Sequence, residues 1–219
     1  MKTLFAPVIT LLNRVGYTKK FAIMGVLALL AIAVLLLNLY QSLHRVIDSS
    51  QRELAGIEVI KPLARMVQHL QVHRGLSAGV LGGNEAMKDQ RAAREKEVHS
   101  ALKAVDARLT PEFAASAAWK KIIEAWTAIE KEGLDLIPRE NVEAHNRLID
   151  DLLTFQALVS DEYTLTNDPD IDSAYLIDTL VDKSPLAIER MGQLRALGTG
   201  VLTRKIPLVP SQQLEFTVL

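Results

Sequence analysis

"FAIMGVLALLAIAVLLLNLY", residues 21–40, runs for twenty residues without a charged side chain. At about 1.5 Å per residue such a helix reaches roughly 30 Å, the hydrocarbon thickness of a bilayer. The stretch therefore predicts a transmembrane helix. Lys19 and Lys20 abut its start, which keeps the N-terminus in the cytoplasm and carries everything after Tyr40 across the membrane. The alternative is a cleaved signal peptide. The apolar run is long for that, and Asn38, Leu39, Tyr40 and Gln41 offer no small-x-small cleavage site. The chain reads as a basic arm (1–20), a membrane helix (21–40) and an extracytoplasmic body (41–219).

Charge follows the same division. The arm holds Lys2, Arg14, Lys19 and Lys20 and no acid, a net +4, whereas 41–219 holds 21 basic and 26 acidic residues, a net −5. An acidic body argues against nucleic acid as a partner. Aromatics are only 5% of the chain and there is no cysteine. Disulfides and thiolate metal sites are thereby excluded, and the abundance of Ala and Leu favours helices over sheet.

Apolar residues beyond the span recur at three- and four-residue steps. Leu43, Ile47, Leu54, Ile57 and Ile60 continue the first helix outward through Met66, Val67 and Leu70 to Leu81. Pro62 is expected to bend it, Gly82-Gly83 to end it, and Asn84 to cap the next helix. That second helix would bury Val98, Leu102, Val105 and Leu109, with "KDQRAAREKE" (88–97) as a solvated charge run. Thr110-Pro111-Glu112 opens a third helix bearing Trp119, Ile122, Ile123, Trp126 and Ile129. Gly133 to Pro138 breaks it. A fourth buries Leu148, Leu152, Phe155 and Val159; "NDPDID" (167–172) ends that one, and a fifth starts near Ser173. The predicted fold class is all-α: a transmembrane helix followed by an antiparallel helical bundle. A sixth helix opens at Ser211 with too few residues to be stable alone, so the sequence is expected to be part of a longer protein.

"RGLSAGVL" (74–81) is echoed by "RALGTGVL" (195–202), each preceded by Pro-Leu-Ala, at 62–64 and 185–187. Two copies suggest two related helical modules. Their small residues let helices approach closely or leave room for a small ligand, and an arginine there would hold a small anion through its planar fork. The candidate ligand-binding residues are Arg74, Arg195, Ser77, Thr199 and Tyr175. The competing interpretation is an arginine paired with an acid from a neighbouring helix. His69 and His73 lie four apart, a metal-compatible spacing, but no third ligand accompanies them. Asp168, Asp170 and Asp172 fail the calcium-loop pattern, with Ser173 where glycine belongs and Thr179 where glutamate belongs. Tyr163 and Tyr175 are expected to pack around this Asp-Pro loop. There is no P-loop, dinucleotide fingerprint or nucleophile elbow. No enzyme activity, metal or cofactor is expected.

"LQVHRGLSAGVLGG" (70–83), "AHNRLIDDLL" (144–153) and "NDPDIDSAYLIDTLVDKSPLAIERMGQLRALGTGVL" (167–202) resemble the extracytoplasmic sensor region of bacterial methyl-accepting chemotaxis proteins. The "HRGLSA" portion is similar to the all-helical nitrate- and nitrite-sensing type of domain. The resemblance covers about residues 15–205; Glu162-Tyr163-Thr164 depart from its smaller residues. It implies a periplasmic sensor anchored in the inner membrane, a homodimer, a small-molecule ligand, and a helix displacement passed across the membrane. Two rivals stand beside this chemoreceptor reading: the input region of a histidine kinase or diguanylate cyclase, and a ligand-free membrane-anchored adaptor.

Overall fold

Helix α1, Tyr17–Leu81, is a single element of 65 residues in the computed structural model, which describes residues 16–167, 171–204 and 210. The chain divides into two units, Met1–Gln51 and Arg52–Leu219. In the first, α1 is apolar enough to cross a membrane, with a mean hydropathy of 2.7 over its best window and none of that window buried. Its polar side chain within the apolar run, Asn38, is satisfied locally. Asn38 Nδ2 donates to Val34 O at 2.9 Å, the in-helix bond that makes an amide tolerable in hydrocarbon. Phe21 to Tyr40 therefore lies within the candidate span.

The second unit is built of helices alone among its described residues. After α1 come α2 (Lys88–Asp106), the short α3 (Pro111–Ala115), α4 (Ala117–Glu132), α5 (Pro138–Glu162), α6 (Ile171–Ile177) and α7 (Ser184–Arg204). A six-residue π-helical segment, Asp178–Lys183, joins α6 to α7. Helices α4 and α5 form an antiparallel hairpin, as the short Gly133–Pro138 connection requires. The core takes Leu63, Met66 and Leu70 from α1, Val98 and Val105 from α2, Trp119, Ile122 and Trp126 from α4, and Leu148, Leu152, Phe155 and Val159 from α5. Each such aliphatic side chain contributes about 1.5–3 kcal/mol of burial. Trp119 stacks on Phe155 at 5.3 Å and donates from Nε1 to Asp106 at 3.1 Å. Tyr163 packs against this core, whereas Tyr175 is exposed.

Helix α1 runs through Pro62 and stops where expected. Gly83 adopts φ +102°, Gly83 N donates to Val80 O and Asn84 N to Gly79 O, the paired closure that a left-handed glycine allows. Three local expectations need correction. Asn84 makes no capping bond; a 3₁₀ turn, Glu85–Met87, intervenes before α2. The helix opened by Thr110 ends after one turn, because Ser116 takes an extended conformation and caps a new helix by accepting from Trp119 N at 3.1 Å. The charge run of α2 is not wholly solvated, since Arg91 is buried. The last helical stretch begins at Ile171 and changes to π register at Asp178 before α7. Asp168, Asp170 and the helix expected from Ser211 lie outside the described residues.

Candidate functional site

Arg74 projects from α1 into the bundle and is 0% exposed. Glu189 from α7 is equally buried and meets it in a bidentate pair: Nη1 to Oε1 at 2.5 Å and Nη2 to Oε2 at 3.2 Å. Arg74 Nη1 also donates to Asn146 Oδ1 of α5 at 2.6 Å. Two amides complete the carboxylate's shell. Gln71 Nε2 donates to Oε2 at 3.0 Å and Gln193 Nε2 to Oε1 at 2.8 Å. A buried charge pair persists only when its geometry is good and its remaining lone pairs are satisfied, and four donors on Glu189 meet that condition. Arg74 Nε stays without a partner among the described residues. Glycine at 192 is required by this packing, because a Cβ there would sit 2.6 Å from Arg74 Nη2.

A second polar group adjoins it through Ser77 and His73, both 0% exposed. Arg91 of α2 donates from Nε to Ser77 Oγ at 3.0 Å and from Nη1 to Glu95 at 2.9 Å, leaving buried Nη2 without a partner among the described residues. His73 Nδ1 lies 2.8 Å from His145 Nε2, and His145 Nδ1 lies 2.8 Å from Asn141 O. A carbonyl only accepts, so the His145 proton is on Nδ1 and its Nε2 accepts from His73 Nδ1–H. Neutral His73 then presents a bare Nε2 with no hydrogen-bond partner among the described residues, 3.6 Å from Glu95 Oε2. Burial holds both imidazoles neutral. It depresses His145 to about 4 against its bond to Asn141 O, which favours the proton; Arg74 and Arg91 depress it further. His73 falls to about 2 through burial, then His145 and Arg91.

The residues singled out from sequence are distributed unevenly. Arg74 and Ser77 belong to the polar centre. Thr199 is half-buried, with its Cγ2 3.5 Å from where a Cβ on Gly79 would be, so α1 and α7 approach each other at this one pair of motif residues. Arg195 is exposed and its side chain makes no ion pair among the described residues. Tyr175 is 70% exposed. His69 bonds Arg94 at 2.9 Å and lies 3.2 Å from Glu97. Among the described residues, no three His, Cys, Asp or Glu side chains group as a metal site. Sequence reasoning missed Glu189, Gln193, Gln71, Asn146, Arg91 and His145. The four-residue spacing of Glu189 and Gln193, with Gly192 between them, was the available signal.

This geometry defines a class: an all-helical domain with a charged centre shared between its first and last described helices. Residues 65–217 match the model of the nitrate and nitrite sensing family, and the chain belongs to that family of sensor domains. No curated protein and no solved structure matches it.

Proposed function

We propose that the chain is the sensory input region of a chemoreceptor-like membrane protein, and that Arg74 takes a planar oxyanion such as nitrate in exchange for Glu189. One observation carries this reading: a fully buried guanidinium whose fork is filled by a carboxylate from another helix. Nitrate, like carboxylate, is planar with delocalised negative charge, and suits the same fork. Ser77 and Thr199 flank the exchange on α1 and α7. Arg195 and Tyr175 face solvent, so their part in the site requires the second copy of a homodimer. Exchange frees Glu189 from Gln71 of α1 and alters how α7 sits on α1. Shifts of about 1–2 Å between helices are sufficient for signalling. Arg74 shares its helix with the candidate span, and Lys19 and Lys20 favour a cytoplasmic N-terminus and a periplasmic bundle.

Nitrate calorimetry on the full chain in lipid nanodiscs tests the exchange. Glu189→Gln removes the competing carboxylate and is expected to bind nitrate at least tenfold tighter than wild type. Arg74→Lys keeps the charge without the fork and is expected to lose binding, and chloride at equal ionic strength is expected to give no heat. Unchanged nitrate affinity in Arg74→Lys overturns the assignment, as does the absence of nitrate heat from folded wild-type protein.

A further inference from the structure

The π segment joins α6 to α7 without a gap between them. At its end Ser184 N donates to Thr179 O, five residues back, so the turn holds one residue more than an α-turn. Helix α7 is therefore out of phase with α6 by one residue, about 100°. Pro185 explains why the ladder opens here. It has no N–H for Val181 O, four residues before it, and its ring crowds that carbonyl. Gln156 Nε2 of α5 supplies the missing donor at 3.0 Å. Lys183 pairs with Asp178 across the same five-residue turn, whereas neighbours in an α-helix lie three or four apart.

The phase matters because α7 carries two stripes, one residue apart. The inward stripe holds Glu189, Gly192 and Ala196; the other holds Ile188, Met191 and Arg195, all exposed, and runs on to exposed Leu202. Leaving that apolar stripe in water forgoes its burial. Suppose the turn closes to α spacing while Ile177 keeps its packing against the core. Each residue of α7 then moves into the place now held by its successor. Ile188, Met191 and Arg195 take the places of Glu189, Gly192 and Ala196, and residue 189 takes the exposed place of Arg190.

We propose that the π segment is a register switch: α7 has a second seating, turned by about 100°, that buries the stripe of Ile188 and Met191 and releases Glu189 to solvent. The ion pair is its catch. A Cβ at position 192 sits 2.6 Å from Arg74 Nη2, so Met191 enters that place only once the guanidinium has let go of Glu189. The switch rests on this pair and stands whether or not Arg74 binds nitrate.

The chain has no cysteine, so engineered pairs report the seating. Thr199 Cγ2 lies 3.5 Å from a Cβ on Gly79, whereas a Cβ on Gly198 meets nothing within 4 Å. Gly79→Cys with Thr199→Cys is thus within disulfide reach in the first seating. Gly79→Cys with Gly198→Cys comes within reach in the second, where residue 198 takes the place of 199. A side chain at 79 crowds Met87 equally in both pairs. The full chain in nanodiscs is oxidised briefly, and disulfide yields are read by mass spectrometry. With Glu189 intact, the 79–199 bond is expected to form at least tenfold faster than the 79–198 bond. Glu189→Gln replaces the charge pair by a neutral contact and is expected to raise the 79–198 rate relative to 79–199 at least tenfold; Glu189→Lys is expected to raise it further. Deleting Leu180, an exposed residue of the π segment, removes the extra residue and leaves α7 in its first seating. In that background Glu189→Gln is expected to leave the ratio unchanged. A ratio that ignores both substitutions overturns the switch, as does a rise that survives the deletion, which would mean general loosening of α7.

Discussion

The two copies of the arginine motif share their letters and differ in their burial. In the first, Arg74, Ser77 and Ala78 face inward. In the second, the inward stripe is Glu189, Gly192, Gln193 and Ala196, and Arg195 points to solvent. Aligned on arginine, the buried stripe of α7 is displaced by one residue, about 100° around a helix. A sequence repeat conserves side-chain order; which face meets the core is decided by the neighbours. Arg74 meets a carboxylate across the bundle, whereas Arg195 meets water.

The largest test of that contrast is paired truncation. Arg74→Ala leaves Glu189 buried and uncompensated, a loss of about 3–5 kcal/mol, while Arg195→Ala changes stability by about 0.5 kcal/mol or less. Thermal melts of both variants in nanodiscs check this, and equal melting temperatures would break the comparison. The next effect is pH dependence. His145 titrates near its ordinary value of about 6.5 when unfolded and at about 4 when folded. The unfolded state therefore binds more protons between these values. Stability is full above pH ~6.5 and falls as pH drops toward ~4, by about 3 kcal/mol in order of magnitude. His73, depressed further, to about 2, contributes over the same window, so His145→Gln is expected to reduce the slope of melting temperature there and not to abolish it. The smallest effect separates two glycines of α7. Gly192→Ala drives a methyl into the Arg74 guanidinium, which Glu189 and Asn146 hold in place, and costs about 1–3 kcal/mol. Gly198→Ala meets nothing within 4 Å and stabilises the helix by about 0.5–1 kcal/mol. Denaturant midpoints that move in the same direction would contradict the assigned register.

Much of the fold was legible because the signals were local. A charge-free run, a Gly-Gly stop at Gly82-Gly83 and the spacing of Leu148, Leu152, Phe155 and Val159 each act within a few residues. The Thr110 cap was read correctly, yet Ser116 cut the helix behind it, since two capping hydroxyls six residues apart compete and sequence does not rank them. The polar centre was harder to foresee. Arg91 sits in a run that reads as solvent-facing, and only Ser77 on another helix draws it inward. Glu189 looks like any helical acid until Arg74 is placed opposite. Burial of a charge is a property of a pair, and the members of this pair lie on helices far apart in sequence.

That separation has a consequence for synthesis. Arg74 and Glu189 are 115 residues apart. At about 5–20 residues per second, the ribosome delivers the carboxylate roughly 6 to 23 seconds after the arginine. For that interval the hairpin of α4 and α5 can form, but the place where α7 will sit holds an unneutralised guanidinium. Closing the bundle before α7 arrives would bury that charge alone, at a cost of several kcal/mol, so the arginine's burial is expected to wait for α7.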